Sequence, residues 1–80
     1  MTNLEKLQEL MEDVLLLEDG AFSRDLARDN LQAWDSMATV AVAIGIEEVF
    51  GHHPTPEEAI GLASVSDIIA FLSARGVAFD

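Results

Sequence analysis

The residue pair Asp35-Ser36 is the first candidate for chemistry in this chain. It stands directly before Met37 to Ile46, a segment without a charged residue in a sequence otherwise rich in carboxylates. An aspartate or serine at such a boundary commonly acts as an N-cap, whose side-chain oxygen accepts a backbone N–H of the first helical turn. The same position suits a phosphate, because a helix N-terminus offers unpaired N–H groups and the positive end of the helix dipole. A serine here can therefore carry a covalent phosphodiester.

A hydrolytic role for Ser36 is disfavoured by the sequence. The chain contains no G-x-S-x-G segment, the usual setting of a serine nucleophile in α/β hydrolases. His52 and His53 follow the other end of the predicted helix, about 24 Å from the serine at ~1.5 Å per residue. Adjacent histidines without further ligands nearby also do not predict a metal site. We therefore expect neither a catalytic residue nor a bound metal.

The residue pattern predicts an all-α fold, a four-helix bundle with a long loop between helices 1 and 2 and a short third helix. Thr2 with Glu5 and Thr55 with Glu58 form capping boxes, which mark helix starts. Apolar residues follow at helical spacing, with charged residues between them. The predicted helices of this single domain, 1–80, cover residues 3–17, 36–50, 57–62 and 65–75.

The uncharged segment is predicted to form a helix with two apolar faces. One face is expected to lie in the core and comprises Val42, Ile46, Val49 and Phe50. The other recurs at helical spacing and is expected to be an exposed docking surface: Met37, Ala41, Ile44 and Glu48. The alternative is that the helix lacks charge because it is the most buried helix of the bundle. Gly45, in mid-helix, suggests that another group packs closely there.

The connection between residues 20 and 34 is long and lacks helical periodicity. Four apolar residues are expected to pack it against the bundle: Phe22, Leu26, Leu31 and Trp34. A short helical turn can form around residues 23–28. Arg24 and Arg28 can pair with Asp25, Asp29 or groups on a partner, although exposed pairs contribute little to stability.

Charge is the strongest compositional signal. Fifteen acidic residues against four Lys and Arg give a formal net charge of −11. Such a surface repels nucleic acid and anionic membranes and favours basic protein partners. The absence of cysteine excludes disulfides, thiolate metal sites and a cysteine nucleophile. With no segment long enough to span a bilayer and no signal peptide, we expect a cytoplasmic monomer.

Several segments together resemble the acyl and peptidyl carrier proteins. Trp34-Asp35-Ser36-Met37 is similar to the D-S-L signature around the serine that carries 4′-phosphopantetheine in that family. The segment Ile46–Gly51 (IEEVFG), then Pro56–Ala59 (PEEA), then Val65 at the start of a last helix follow in similar order and spacing. The resemblance runs from the first helix to Leu72. It identifies the chain as a member of the phosphopantetheine-binding carriers.

The resemblance implies a carrier without catalytic activity of its own. A phosphopantetheinyl transferase would move the arm from coenzyme A to Ser36, using Mg²⁺, and Asp35 would lie at the same site. The arm would hold an acyl or aminoacyl group as a thioester for loading ligases, synthases and tailoring enzymes. The residues expected to dock these partners are Trp34, Met37, Ala41, Ile44, Glu47 and Glu48.

The departures from the family pattern favour a subclass. Met37 replaces the usual leucine, and Ala38 and Ala41 stand where fatty-acid carriers often have acidic residues. The WDSM sequence resembles discrete carriers of polyketide, nonribosomal peptide or related specialised biosynthesis. Two alternatives remain at this point. One is a carrier of fatty-acid synthesis, and the other is an acidic helical adaptor in which Asp35-Ser36 serves only as a helix cap.

Overall fold

The computed structural model describes residues 1–79, which contain four α-helices and one 3₁₀ turn. The all-α prediction is confirmed. The first and last helices end two residues earlier than predicted, and the third begins and ends one residue earlier. Within the 23–28 segment, where a helical turn was expected, the Leu26 N–H donates to the Ser23 carbonyl at 3.2 Å. The 3₁₀ turn begins only at Arg28, the last residue of that segment. The elements are α1 (Asn3–Leu15), the 3₁₀ turn (Arg28–Asn30), α2 (Ser36–Phe50), α3 (Pro56–Gly61) and α4 (Val65–Ser73).

Both predicted capping boxes are present. The Thr2 and Thr55 hydroxyls accept the backbone N–H groups of Glu5 and Glu58 at 3.1 and 3.2 Å, respectively. The Thr55 backbone N–H donates back to the Glu58 carboxylate, which lowers the pKa of that group below its ordinary value. Arg75 also donates to this carboxylate, at 2.6 Å. Because the folded-state pKa is lowered, this contribution to stability is present above the ordinary pKa and is lost as the pH falls.

Helix α1 ends early because Leu16 adopts the left-handed conformation. Its φ of 53° and ψ of 47° are those of a helix-terminating residue, and its N–H donates to the Glu12 carbonyl. Glycine usually occupies this position, since an L-residue there costs about 1–2 kcal/mol. The Leu16 side chain is 84% exposed, so burial does not repay this cost.

Replacing Leu16 with glycine should therefore stabilise the protein. We expect Leu16→Gly to raise the free energy of unfolding by about 1 kcal/mol, because glycine adopts positive φ without a Cβ penalty. Urea denaturation monitored by circular dichroism would measure this. Leu16→Ala is the matched control, since it removes the exposed side chain but keeps the Cβ, and it should leave stability nearly unchanged. Equal effects of the two variants would contradict this account.

The core brings together all four helices and the end of the long loop. Trp34 is 2% exposed and lies among the apolar faces of the helices. Two predictions for α2 need correction or refinement: Val49 is 41% exposed and is not a core residue, while Phe50 is half-buried and packs against the core from its edge. The core cluster consists of Leu7, Met11, Leu15, Trp34, Ala38, Val42, Ile46, Leu62, Val65, Ile68, Ile69 and Leu72.

Gly45 allows α1 and α2 to approach closely, as its position in mid-helix suggested. It is buried, and a Cβ built on it would collide with the Cδ1 atom of Leu10. A glycine within a helix costs about 1 kcal/mol relative to alanine. This cost is offset here by the contact that the Leu10 side chain makes over the bare backbone.

Gly45 and Leu10 should therefore be energetically coupled. Gly45→Ala in the wild type should gain helix propensity but lose packing, because the Leu10 methyl group must move. In a Leu10→Ala background the propensity gain of about 1 kcal/mol should appear unopposed. A double-mutant cycle by urea denaturation would measure the coupling. Additive effects of the two substitutions would show that the close contact does not constrain position 45.

The long loop is held both by side chains and by backbone hydrogen bonds. Phe22, Leu26 and Leu31 pack against the core, as predicted. The Arg28 N–H donates to the Ala63 carbonyl at 2.8 Å, and the Val65 N–H donates to the Leu26 carbonyl at 2.9 Å. These bonds fix the loop to the connection between α3 and α4. The loop therefore reaches the start of α2 as an ordered segment.

Candidate functional site

Asp35, rather than Ser36, is the N-cap of α2. Its Oδ1 atom accepts the Ala38 backbone N–H at 2.9 Å, and its carbonyl accepts both the N–H and the hydroxyl of Thr39. Ser36 is the first residue of the helix and is exposed. Within residues 1–79, nothing forms a hydrogen bond with the Ser36 hydroxyl. The serine oxygen is therefore free for chemistry at the positive end of the helix.

This division of roles predicts different effects of two substitutions. Asp35→Ala should lower the free energy of unfolding by about 1 kcal/mol, because an N-terminal N–H loses its acceptor. Ser36→Ala should change the free energy of unfolding by less than about 0.5 kcal/mol, as expected for an exposed residue that does not cap the helix. Chemical denaturation of both variants would test this. A larger loss for Ser36→Ala than for Asp35→Ala would show that the serine is the cap.

A groove of about 640 Å³ opens beside Ser36, between the start of α2, α3 and the 3₁₀ turn. Apolar side chains from α2 and α3 form most of its wall, and two of them, Val40 and Ile60, are 59% and 65% exposed. An extended, mostly apolar group attached to Ser36 would lie next to this groove. The lining residues are Arg28, Asp35, Ser36, Thr39, Val40, Pro56, Ala59 and Ile60.

Arg28 is the cation of this groove. Its Nη1 atom donates to the Ile60 carbonyl at 3.2 Å, so the side chain links the loop to the end of α3. The suggested pairing of Arg24 and Arg28 with the neighbouring aspartates is wrong for the described part of the chain. The ion pair found there joins Arg75 to Glu58 at 2.6 Å, and the His53 Nδ1 atom lies 2.8 Å from the Glu47 carboxylate.

Helix α2 presents an apolar stripe to solvent, which consists of Met37, Val40 and Ile44. Their exposed fractions are 82%, 59% and 48%. Ala41, which was expected on this face, is half-buried. The uncharged composition of α2 therefore has two causes, because one face lies in the core and another is exposed. Burial alone does not explain the missing charges.

The six predicted docking residues fall into three groups, and Ala41, which is half-buried, forms one of them. Met37, Ile44, Glu47 and Glu48 are exposed on α2. Trp34 is not available for docking, because its ring is buried in the core, and its role is to anchor the loop.

Sequence reasoning missed two exposed residues of this region, Val40 and Ile60, and named Arg28 only as a pairing residue of the loop, not as part of a groove. Val40 follows Met37 at i+3, so helical spacing alone would have placed it on the exposed stripe. Ile60 and Arg28 carried no comparable signal, since their positions depend on how α3 and the loop pack.

Neither a metal site nor a membrane span is found in the described residues. Within 1–79, no group of three or more His, Cys, Asp or Glu side chains is arranged to hold a metal ion. No helix in this part of the chain is long and apolar enough to cross a lipid bilayer.

Comparison with known proteins identifies the family. The chain is 31% identical over 72 residues to an acyl carrier protein of Prochlorococcus marinus (strain MIT 9515), and the alignment covers 90% of each chain. No family model and no solved structure matches the chain. Identity over nearly the whole of both chains shows that this protein belongs to the acyl carrier protein family. Membership of this family implies a phosphopantetheine prosthetic group.

Proposed function

We propose that this protein carries 4′-phosphopantetheine on the Ser36 hydroxyl and presents a tethered acyl or aminoacyl group to partner enzymes. The observation that supports this best is the separation of roles at the start of α2. Asp35 caps the helix, and Ser36 is left exposed with a free hydroxyl. A serine needed only for capping would not be placed in this way. The adaptor alternative, in which the pair serves only as a cap, assigns no role to the exposed Ser36 hydroxyl.

The attachment reaction requires an accessible oxygen nucleophile. In the transferase, Ser36 Oγ would form a bond to the β-phosphorus of coenzyme A, and the bond from that phosphorus to the bridging oxygen would break. Adenosine bisphosphate leaves, and the serine proton passes to a base of the transferase. The proposed role of Asp35 is to hold the first turn of α2 in place through its bond to Ala38 N–H. The positive end of the helix dipole favours the resulting phosphodiester.

The residues around Ser36 fit such a group. When attached, phosphopantetheine supplies a terminal thiol that forms a thioester with the carried acid. The protein therefore needs no cysteine of its own to hold that acid, and it has none. The groove beside the serine offers an apolar wall for the arm, formed by Val40, Pro56, Ala59 and Ile60. Thr39 adds a polar atom to that wall.

Partner docking is proposed to use the apolar stripe together with the acidic end of α2. Met37, Val40 and Ile44 provide apolar contact area, and Glu47 and Glu48 provide charge for basic partners. The partners would be a phosphopantetheinyl transferase, a loading ligase, and synthase or tailoring enzymes.

Specialised biosynthesis, rather than fatty-acid synthesis, is our proposed context, because an apolar stripe favours contact over electrostatic steering. The lack of an acidic residue at position 38 does not support this choice of context, because Ala38 is buried in the core. A carboxylate at this position would lack solvent, so its absence needs no functional explanation.

Intact mass spectrometry would test the carrier role. The purified protein would be incubated with coenzyme A, Mg²⁺ and a transferase of broad specificity. We expect one phosphopantetheine to be added to the wild type and none to Ser36→Ala, which lacks the accepting oxygen. Ser73→Ala is the matched control, because it removes the hydroxyl of another exposed serine, and it should be modified fully.

The result that would overturn the proposal is an unmodified wild type under conditions that modify a known carrier. Addition to both the wild type and Ser36→Ala would show instead that another residue is the acceptor. Circular dichroism of Ser36→Ala would establish that the variant is folded, as its exposed position leads us to expect.

A further inference from the structure

The groove beside Ser36 contains a guanidinium group that faces no carboxylate partner. Among the residues that line the groove, Arg28 is the cation and Asp35 is the anion. The Asp35 side chain is already bonded to the Ala38 N–H. Within the described residues, the basic side chains that lie in contact with a carboxylate are Arg75 and His53, not Arg28. In a chain with fifteen acidic residues, this arginine forms no ion pair within residues 1–79.

Arg28 is nevertheless held in place. Its backbone N–H donates to the Ala63 carbonyl at 2.8 Å, and its Nη1 atom donates to the Ile60 carbonyl at 3.2 Å. A guanidinium has five N–H donors in a fixed plane, so a single hydrogen bond leaves most of them free. The residue is half-buried, which reduces the screening of its charge by solvent. The guanidinium is therefore held in position and still has N–H groups available for a further acceptor.

The chemistry of that acceptor follows from the groove. Arginine binds phosphate and carboxylate oxygens through paired N–H groups, and these bonds are stronger than neutral ones. Ser36 lines the same groove, so a group attached to its hydroxyl enters the space that Arg28 borders. The rest of the wall is mostly apolar and supplies no other cation. An anionic oxygen group in this space would have Arg28 as its counterion.

We infer that Arg28 binds an anionic oxygen group on the arm attached to Ser36. Two sources share this chemistry: the phosphodiester that joins the arm to the serine, and a carboxylate on the carried acyl group. In the second case Arg28 would determine specificity, since it would favour carried acids that retain a free carboxylate. The inference rests on the proposed attachment at Ser36.

The test compares four forms of the protein: unmodified, bearing phosphopantetheine, and bearing its butyryl or succinyl thioester. The acyl forms are made by transfer from the corresponding acyl-coenzyme A. Butyryl and succinyl chains have the same number of carbons, and only succinyl has a carboxylate. Mass spectrometry of each sample establishes modification independently. NMR then follows the Arg28 side-chain N–H and the backbone amides of Val40 and Ile60.

Variants separate the guanidinium from other causes of a shift. Arg28→Gln removes the charge and should abolish the shifts of the Val40 and Ile60 amides that accompany binding. Arg28→Lys keeps the charge without the planar donors and should restore them in part. Arg24→Gln is the matched control, because Arg24 is an exposed loop arginine outside the groove lining, and it should leave the shifts unchanged.

The outcomes are distinct. An Arg28 shift in every modified form, and not in the unmodified protein, would identify the phosphodiester as the bound group. A shift confined to the succinyl form would identify the carboxylate. Samples shown by mass to be modified but without an Arg28 shift would overturn the inference while the carrier role stands. Failure of modification itself would overturn the proposed function instead.

Discussion

The position of Ser36 depends on the burial of Trp34 two residues before it. An indole ring removes about 200 Å² from water, which stabilises the fold by about 5 kcal/mol at ~25 cal/mol per Å². Its N–H has no acceptor among residues 1–79, and an unpaired buried donor costs about 1–3 kcal/mol. Apolar burial exceeds this cost, so the ring fixes the end of the loop. Asp35 then has little freedom except to cap α2, and Ser36 is left facing solvent.

The uncharged sequence of helix α2 forms two apolar faces, one in the core and one exposed to solvent. Val42 and Ile46 complete the core, while Met37 and Ile44 remain in water. Exposed apolar side chains of this kind favour contact with another molecule. Helix α1 packs against α2 at Gly45, where the Leu10 side chain lies on the glycine backbone. The position of α2 is thus fixed on its inner side, and its outer side stays exposed to solvent.

Much of this structure follows from local patterns in the sequence. The capping boxes at Thr2 and Thr55 determine two helix starts through bonds within one turn. Because the residues of each box lie three positions apart, they can be recognised in the sequence. The order of the helices and the site of Ser36 follow in the same way. Val49 could not be placed correctly, because whether a residue near a helix end is covered depends on the segments that pack there. The packing of Trp34 against the bundle was predicted, but its assignment to the docking surface was wrong, and the place of Arg28 in the groove was not predicted. Tertiary contacts and not neighbouring residues decide where a loop side chain is exposed.

The loop that positions Arg28 is held in part by hydrogen bonds between peptide groups. The bonds from Arg28 N–H to Ala63 and from Val65 N–H to Leu26 use atoms that every residue except proline possesses. Side chains that line the groove can therefore be exchanged without removing these two backbone bonds. Substitution of Val40 or Ile60 removes neither bond, whereas substitution of Arg28 removes only the bond from its Nη1 atom to the Ile60 carbonyl. The polarity of the groove can thus be changed by substitution while the loop keeps its attachment to the connection between α3 and α4.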